Sequence, residues 1–201
     1  MNRLARVLSE IAADLDARGR RFALLGGLAV SARAEPRFTR DLDLAVLVRD
    51  DGDAEALIRD LTASGFRVAM LLEHERAERL ATVRLVPPGE SDGGVVVDLL
   101  FASSGVEPEI IHAAETVEVF PNVRLPVASR AHLLALKVLA HDERTRPMDG
   151  ADILALGRGA HSDDFSEVER LLGLITDRHF HRNRDLRALW QDWKARIAPR
   201  A

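Results

Sequence analysis

The chain has 201 residues, 47% hydrophobic and 30% charged, with a formal net charge of −4 and no cysteine. That length and balance suit a globule able to bury a real core, as one domain or one domain with a helical appendage, and exclude a low-complexity or disordered chain. Lack of cysteine excludes a disulfide scaffold, a thiolate zinc site and a cysteine nucleophile; net acidity gives no global nucleic-acid signature, though a local basic face is all that phosphate contact needs.

Residues 2–18 carry Leu4, Val7, Leu8, Ile11, Ala12 and Leu15 at helical spacing, which predicts a leading amphipathic helix. Its acids exclude a signal peptide, and no run approaches about 18 apolar residues, so the expected compartment is the cytoplasm. Phe22 to Leu25 read as a strand, Gly26-Gly27 as a turn, and Leu28 to Arg33 as a short helix that Pro36 ends. Arg37, Phe38, Thr39 and Arg40 form a basic loop before a second strand, DLDLAVLV. On that strand Asp41 and Asp43 point to one face while Leu42 and Leu44 point to the other.

Two acids side by side repel, and a divalent cation is the usual remedy. The helix after the glycines starts with free backbone N–H groups, which makes an anion site beside a cation site. Phosphate next to a metal is what a nucleoside triphosphate requires, with Mg²⁺ held by one or two carboxylates and the substrate's own oxygens. Thirteen residues, Leu28 to Arg40, separate Gly27 from Asp41, enough for a helix and a return loop into a neighbouring strand.

Further along, Asp53 is a candidate cap for a helix carrying Leu57, Ile58 and Leu61, which Gly65 ends. Phe66 to Leu72 and Leu80 to Val86 read as strands, and the polar run from Pro87 to Gly94 as a turn. Val95 to Phe101 is an apolar, buried-strand pattern with Asp98 in its middle, an acid that needs a partner there. An arginine or a helix cap is one such partner; a place beside Asp41 and Asp43 in a metal cluster is the other. Pro121 to Pro126 reads as an extended surface segment after a polar connection, and Ser129 as the cap of a helix, Arg130 to Asp142.

Within that helix Lys137 is flanked by leucines and valine; only Lys137 and Lys194 are lysines in a chain whose other basic residues are arginine. A snorkelling lysine is one reading, a phosphate contact the other. Pro147 opens a further helix containing Asp149 and Asp152, and residues 163–175 and 183–197 read as two amphipathic helices. Arg178, His179, His181, Arg182, Arg184 and Arg187 form the densest basic run, either a solvated face or part of an RNA phosphate track.

The order GG, a short gap, DLDL resembles the signature of the DNA polymerase β-like nucleotidyltransferase superfamily. The longer string GGLAVSARAEPRFTRDLDL closely resembles the AbiEii/MenT-like nucleotidyltransferase toxins of bacterial toxin–antitoxin systems. The likeness is closest over residues 21–48, looser over 95–155 and faint elsewhere.

What the resemblance implies is an α/β fold, a mixed twisted sheet flanked by helices, with a catalytic domain over 1–126 and a helical region over 127–201 completing the cleft. It implies nucleotidyl transfer from an NTP (ATP or CTP) to the 3′ end of tRNA, blocking aminoacylation and translation. Two Mg²⁺ ions, or Mn²⁺, held by Asp41, Asp43 and Asp98 are implied, as is a cognate antitoxin. The triphosphate is expected at Gly26, Gly27 and Ser31, with Arg37, Arg40 and Lys137 neutralising it; Asp152 orients Lys137 or contacts the base or a metal-bound water. Thr39, two residues before Asp41, is a candidate phosphorylation switch, or simply a hydroxyl that caps the loop. A small-molecule nucleotidyltransferase of the antibiotic type, and a non-catalytic nucleotide-binding module of the same fold, remain as alternatives.

Overall fold

A computed structural model describes residues 2–74, 78–91 and 93–197. The turn expected up to Gly94 includes Asp92, which lies outside the described residues. In chain order the elements are α1 (Arg3–Ala17), β1 (Phe22–Leu25), α2 (Gly26–Arg33), β2 (Asp41–Val46), α3 (Asp51–Ala63), β3 (Arg67–His74), β4 (Arg79–Val86) and β5 (Val96–Leu100). There follow α4 (Glu107–His112), β6 (Glu115–Phe120), β7 (Val123–Val127), α5 (Arg130–Ala140), α6 (Pro147–Arg158), α7 (Ser162–Asp177) and α8 (Leu186–Ile197).

The described strands form one mixed sheet in the order β3-β4-β5-β2-β1-β7-β6. Its centre is β2, antiparallel to β1 and parallel to β5. Alternation explains why: Leu42 and Leu44 are fully buried on one face, while Asp41 and Asp43 remain partly exposed on the other. Val97 and Leu99 do the same for β5. The apolar core is continuous from Val7, Leu8, Ile11 and Leu15 of α1 through the strands to Trp190 and Trp193 of α8. Helix starts obey local rules, Asn2 accepting from the Ala5 N–H and Ser129 from the His132 N–H. Among the described residues no helix is long and apolar enough to cross a membrane.

Four readings change. The cap of α3 is Asp50, which accepts the Asp53 N–H at 2.8 Å. Asp53 is buried instead, gripped by Arg20 at 2.8 Å and Arg49 at 3.2 Å. The segment Pro121 to Pro126 is not a surface strap: β6 and β7 form an antiparallel hairpin, and β7 joins the sheet parallel to β1 with Val127 opposite Leu24. Its prolines masked a short strand whose Leu125 and Val127 are buried. The polar connection before it contains α4, with Ile110 and Ile111 packed inward. The Lys137 helix also stops at Ala140, His141 being its C-cap.

Candidate active site

Everything at the site follows from how closely β1, β2 and α2 approach. Gly26 has a φ of +63°, and a Cβ placed on it would collide with the Asp43 carboxylate. A Cβ on Gly27 would lie 2.5 Å from the guanidinium of Arg37. Glycine is therefore required at Gly26, for its left-handed backbone and for room, whereas a side chain at Gly27 would have to displace the end of Arg37. No side chain caps the start of α2, and Gly26 and Gly27 line a cleft of about 400 Å³. Ser31 does not line that cleft: its hydroxyl donates to the Gly27 carbonyl at 3.0 Å and accepts the Arg37 N–H at 3.2 Å, pinning the basic loop to the helix.

Strand register brings the acids together. Leu25 of β1 sits opposite Asp43, and the parallel β2/β5 ladder sets Asp43 against Asp98. Burial first, then the charges of Asp98 and Asp41, push the Asp43 carboxyl up to about 6. On the next strand Arg84 faces Asp98 in register. Its Nε donates to one Asp98 oxygen at 2.8 Å and its Nη2 to the other at 2.7 Å, with Asp41 3.8 Å from the same nitrogen. This bidentate pair holds the guanidinium proton more tightly than usual.

The donor set is that of a hard cation: carboxylate oxygens on adjoining strands, mutually repelling, beside a turn stripped of side chains. Among the described residues no group of three acids or histidines yet encloses a metal position.

The opposite wall comes from α5, α6 and the basic loop. Lys137 is almost fully buried, its Nζ 2.6 Å from Asp149 and 2.7 Å from Asp152. Asp152, 2% exposed, also accepts a hydrogen bond from Arg37 Nη2 at 3.0 Å and has the Arg37 Nε 2.8 Å away as an ion pair without hydrogen-bond geometry. Asp149 and Asp152 lie three apart on α6 and so share a face. Lys137, Arg37 and Asp149 line the cleft, while Asp152 stands behind them. The second oxygen of Asp149 has no hydrogen bond and faces Arg146 at 3.6 Å. Thr39 lines the cleft, donating to the Asp41 carbonyl at 3.3 Å. Arg40 is exposed and packs over Phe38, 5.4 Å from the ring centre, outside the cleft lining.

The basic run does not share one face. Arg178 is paired with Glu109, Arg184 donates to the Val138 and Leu139 carbonyls, and Arg187 lines a separate hollow near Trp190; only Arg182 reaches the cleft. Arg84 and Asp149 are the site residues that sequence reading passed over. Alternation along β4 placed Arg84 on the acids' face, but only the β4/β5 register says which acid it meets. Asp149 was visible as the first member of an i, i+3 acid pair.

Solved structures of other proteins share this fold. An antigenic nucleotidyltransferase-like protein from Paracoccidioides brasiliensis superposes with a TM-score of 0.55 at 18% identity, over 94% of this chain and 92% of that one. ANT(2″)-Ia, solved in complex with adenylyl-2″-tobramycin, superposes with a TM-score of 0.53 at 14% identity, over 96% of this chain and 98% of its own. At those identities the likeness is one of fold, and the fold is that of nucleotidyltransferases. No curated protein matches the sequence. The model of the nucleotidyl transferase AbiEii toxin family, of type IV toxin–antitoxin systems, matches residues 6–200, and the chain belongs to that family.

Proposed function

We propose that this protein transfers a nucleoside monophosphate from an NTP to the 3′ end of tRNA, blocking aminoacylation and therefore translation until a cognate antitoxin neutralises it. The observation that carries the transfer reaction is the placement of Asp41, Asp43 and Asp98 beside the uncapped start of α2 at Gly26 and Gly27. The tRNA acceptor and the antitoxin rest on family resemblance.

Asp41, Asp43 and Asp98 would hold two Mg²⁺ ions, or Mn²⁺, which supply Lewis-acid stabilisation of the phosphoryl oxygens. The α2 N–H groups receive the triphosphate. The acceptor hydroxyl oxygen forms the new bond to the α-phosphorus as the bond to the bridging oxygen of pyrophosphate breaks, and Asp98 takes the hydroxyl proton. Lys137 and Arg37 neutralise charge on the departing phosphates. Asp152 holds both of these cations in place from behind, which favours the orienting role over a direct substrate contact. Arg40 would reach the phosphates only by leaving Phe38.

Thr39 is the control point of this reading. A phosphoryl group there adds roughly two negative charges at the cleft, next to Asp41, and turnover should stop. Unchanged turnover by fully Thr39-phosphorylated protein refutes the switch.

The decisive experiment incubates purified protein with Mg²⁺, total tRNA and each labelled NTP in turn, beside the Asp41→Ala variant. Label on tRNA only with intact Asp41 supports the reaction and names the nucleotide. If an NTP binds tightly yet labels no RNA, the tRNA assignment fails and a small-molecule acceptor or a binding module takes its place.

A further inference from the structure

Arg84 lies on β4, on the far side of the carboxylates from the glycine turn, since the strands run β4-β5-β2-β1. Its planar fork takes both oxygens of Asp98, at 2.8 and 2.7 Å, and sits within 3.8 Å of Asp41. A carboxylate held bidentately by guanidinium has its best-directed lone pairs occupied. A divalent ion shared between Asp43 and Asp98 needs those same oxygens, so ion and guanidinium compete for them.

Charge makes the competition unequal for the two ions of the proposed reaction. Three carboxylates and one guanidinium leave two negative charges, which a single divalent ion neutralises. A second ion arriving with Arg84 still seated would give the cluster two positive charges before any phosphate is present. The first ion can therefore settle on Asp41 and Asp43, whereas the second gains Asp98 only by moving the guanidinium. The side chain is free to do so, being 38% exposed, while Asp98 is 12% exposed and fixed on its strand.

We propose that Arg84 is a positioning residue that competes with the second divalent ion for Asp98 and so sets how tightly that ion binds before substrate arrives. The inference rests on the metal-dependent reading above and goes beyond it by assigning a residue that reading does not use.

The test titrates full-length protein with Mn²⁺ alone, counting bound ions by calorimetry and electron paramagnetic resonance, for the unmodified chain, Arg84→Gln, Arg84→Lys and the double variant Arg84→Gln with Asp98→Asn. The unmodified chain should bind one Mn²⁺ at least about tenfold more tightly than the second. Arg84→Gln should tighten the second ion about tenfold or more, the scale of a charge-assisted pair, and change the first only slightly. Arg84→Lys should give a smaller gain, because an ammonium cannot hold both oxygens at once. Adding Asp98→Asn should erase the gain.

A second-ion affinity unchanged or weakened in Arg84→Gln, or a gain that survives Asp98→Asn, overturns the proposal. Absence of Mn²⁺ binding in every variant overturns the metal reading along with it, whereas equal binding by all overturns only the role of Arg84. If Arg84→Gln fails to fold, as judged by its thermal melt, the Arg84→Lys titration decides: tighter binding of the second ion supports competition and unchanged binding ends it.

Discussion

Two charged clusters face each other across the cleft, made from the same residue types and opposite in balance. On the helical wall Asp149 and Asp152 meet Lys137 and Arg37, with Arg146 3.6 Å from Asp149 at the edge, so each acid is matched by a base. On the sheet Asp41, Asp43 and Asp98 meet Arg84, three acids with one base. The first cluster nearly completes its own contacts inside the protein. In the second, burial and then repulsion from Asp98 and Asp41 raise the Asp43 pKa, so that wall of the cleft carries negative charge that its one base does not match. On the proposed function the matched cluster is a frame and the unmatched one the binding site, a distinction that acid counting alone would miss.

The largest effect should come from breaking the balanced cluster. Asp152→Ala strips Lys137 and Arg37 of their shared acid while both remain largely buried, and losing one partner of a buried pair costs about 3–5 kcal/mol. Urea denaturation measures it. A loss below about 1 kcal/mol would mean that the helical wall is not a frame, and the contrast collapses.

Next in size is the contact that lets the sheet cluster exist. Gly26→Ala must place a side chain at a φ of +63° and against Asp43. The left-handed backbone alone costs about 1–2 kcal/mol, and displacing Asp43 adds to it. Gly27→Ala meets only the end of the flexible Arg37 side chain. We expect the first variant to lose both stability and transfer, and the second to keep more of each; the reverse order, read by melting and labelled-NTP transfer, would show that Asp43 yields more readily than Arg37.

How much of this the sequence made legible depends on the range of the interaction. The D-L-D-L alternation gave β2, its buried face and its two acids, because strand periodicity is local. Asp98 was legible as an acid out of place in an apolar strand, and Lys137 as a lysine among leucines. Arg84 was not, since its meaning lies in a cross-strand register fixed only when β4, β5 and β2 assemble. The same reason separates Asp50 from Asp53: both begin α3, but only the fold brings Arg20 to the second. The basic run from Arg178 to Arg187 looked like one surface and is divided among several, because the residues leading into α8 turn through left-handed backbone at His179, Arg182 and Asn183.

The smallest effect is the most diagnostic, because its sign distinguishes the two clusters. With divalent ions chelated, the Asp43 carboxyl of the folded protein is pushed up to about 6, from an ordinary value of 3.8 in the unfolded chain. Between those values the folded state binds more protons, so this group's contribution to stability is full below about pH 4 and is lost as pH rises through 6. That difference corresponds to at most about 3 kcal/mol, and partial exposure with ionic screening brings the expected figure to about 1 kcal/mol. Asp43→Asn removes the charge and keeps the shape, so in chelator at pH 7.5 it should be more stable than the unmodified chain by that amount and lack the decline between pH 4 and 6. Millimolar Mn²⁺ should reverse the order, since a ligand at a hundredfold its dissociation constant adds about 2.7 kcal/mol to the state that binds it. An Asp43→Asn protein that is less stable in chelator would behave as Asp152 variants are expected to. Asp43 would then belong to the frame, and the unbalanced cluster would no longer mark the binding site.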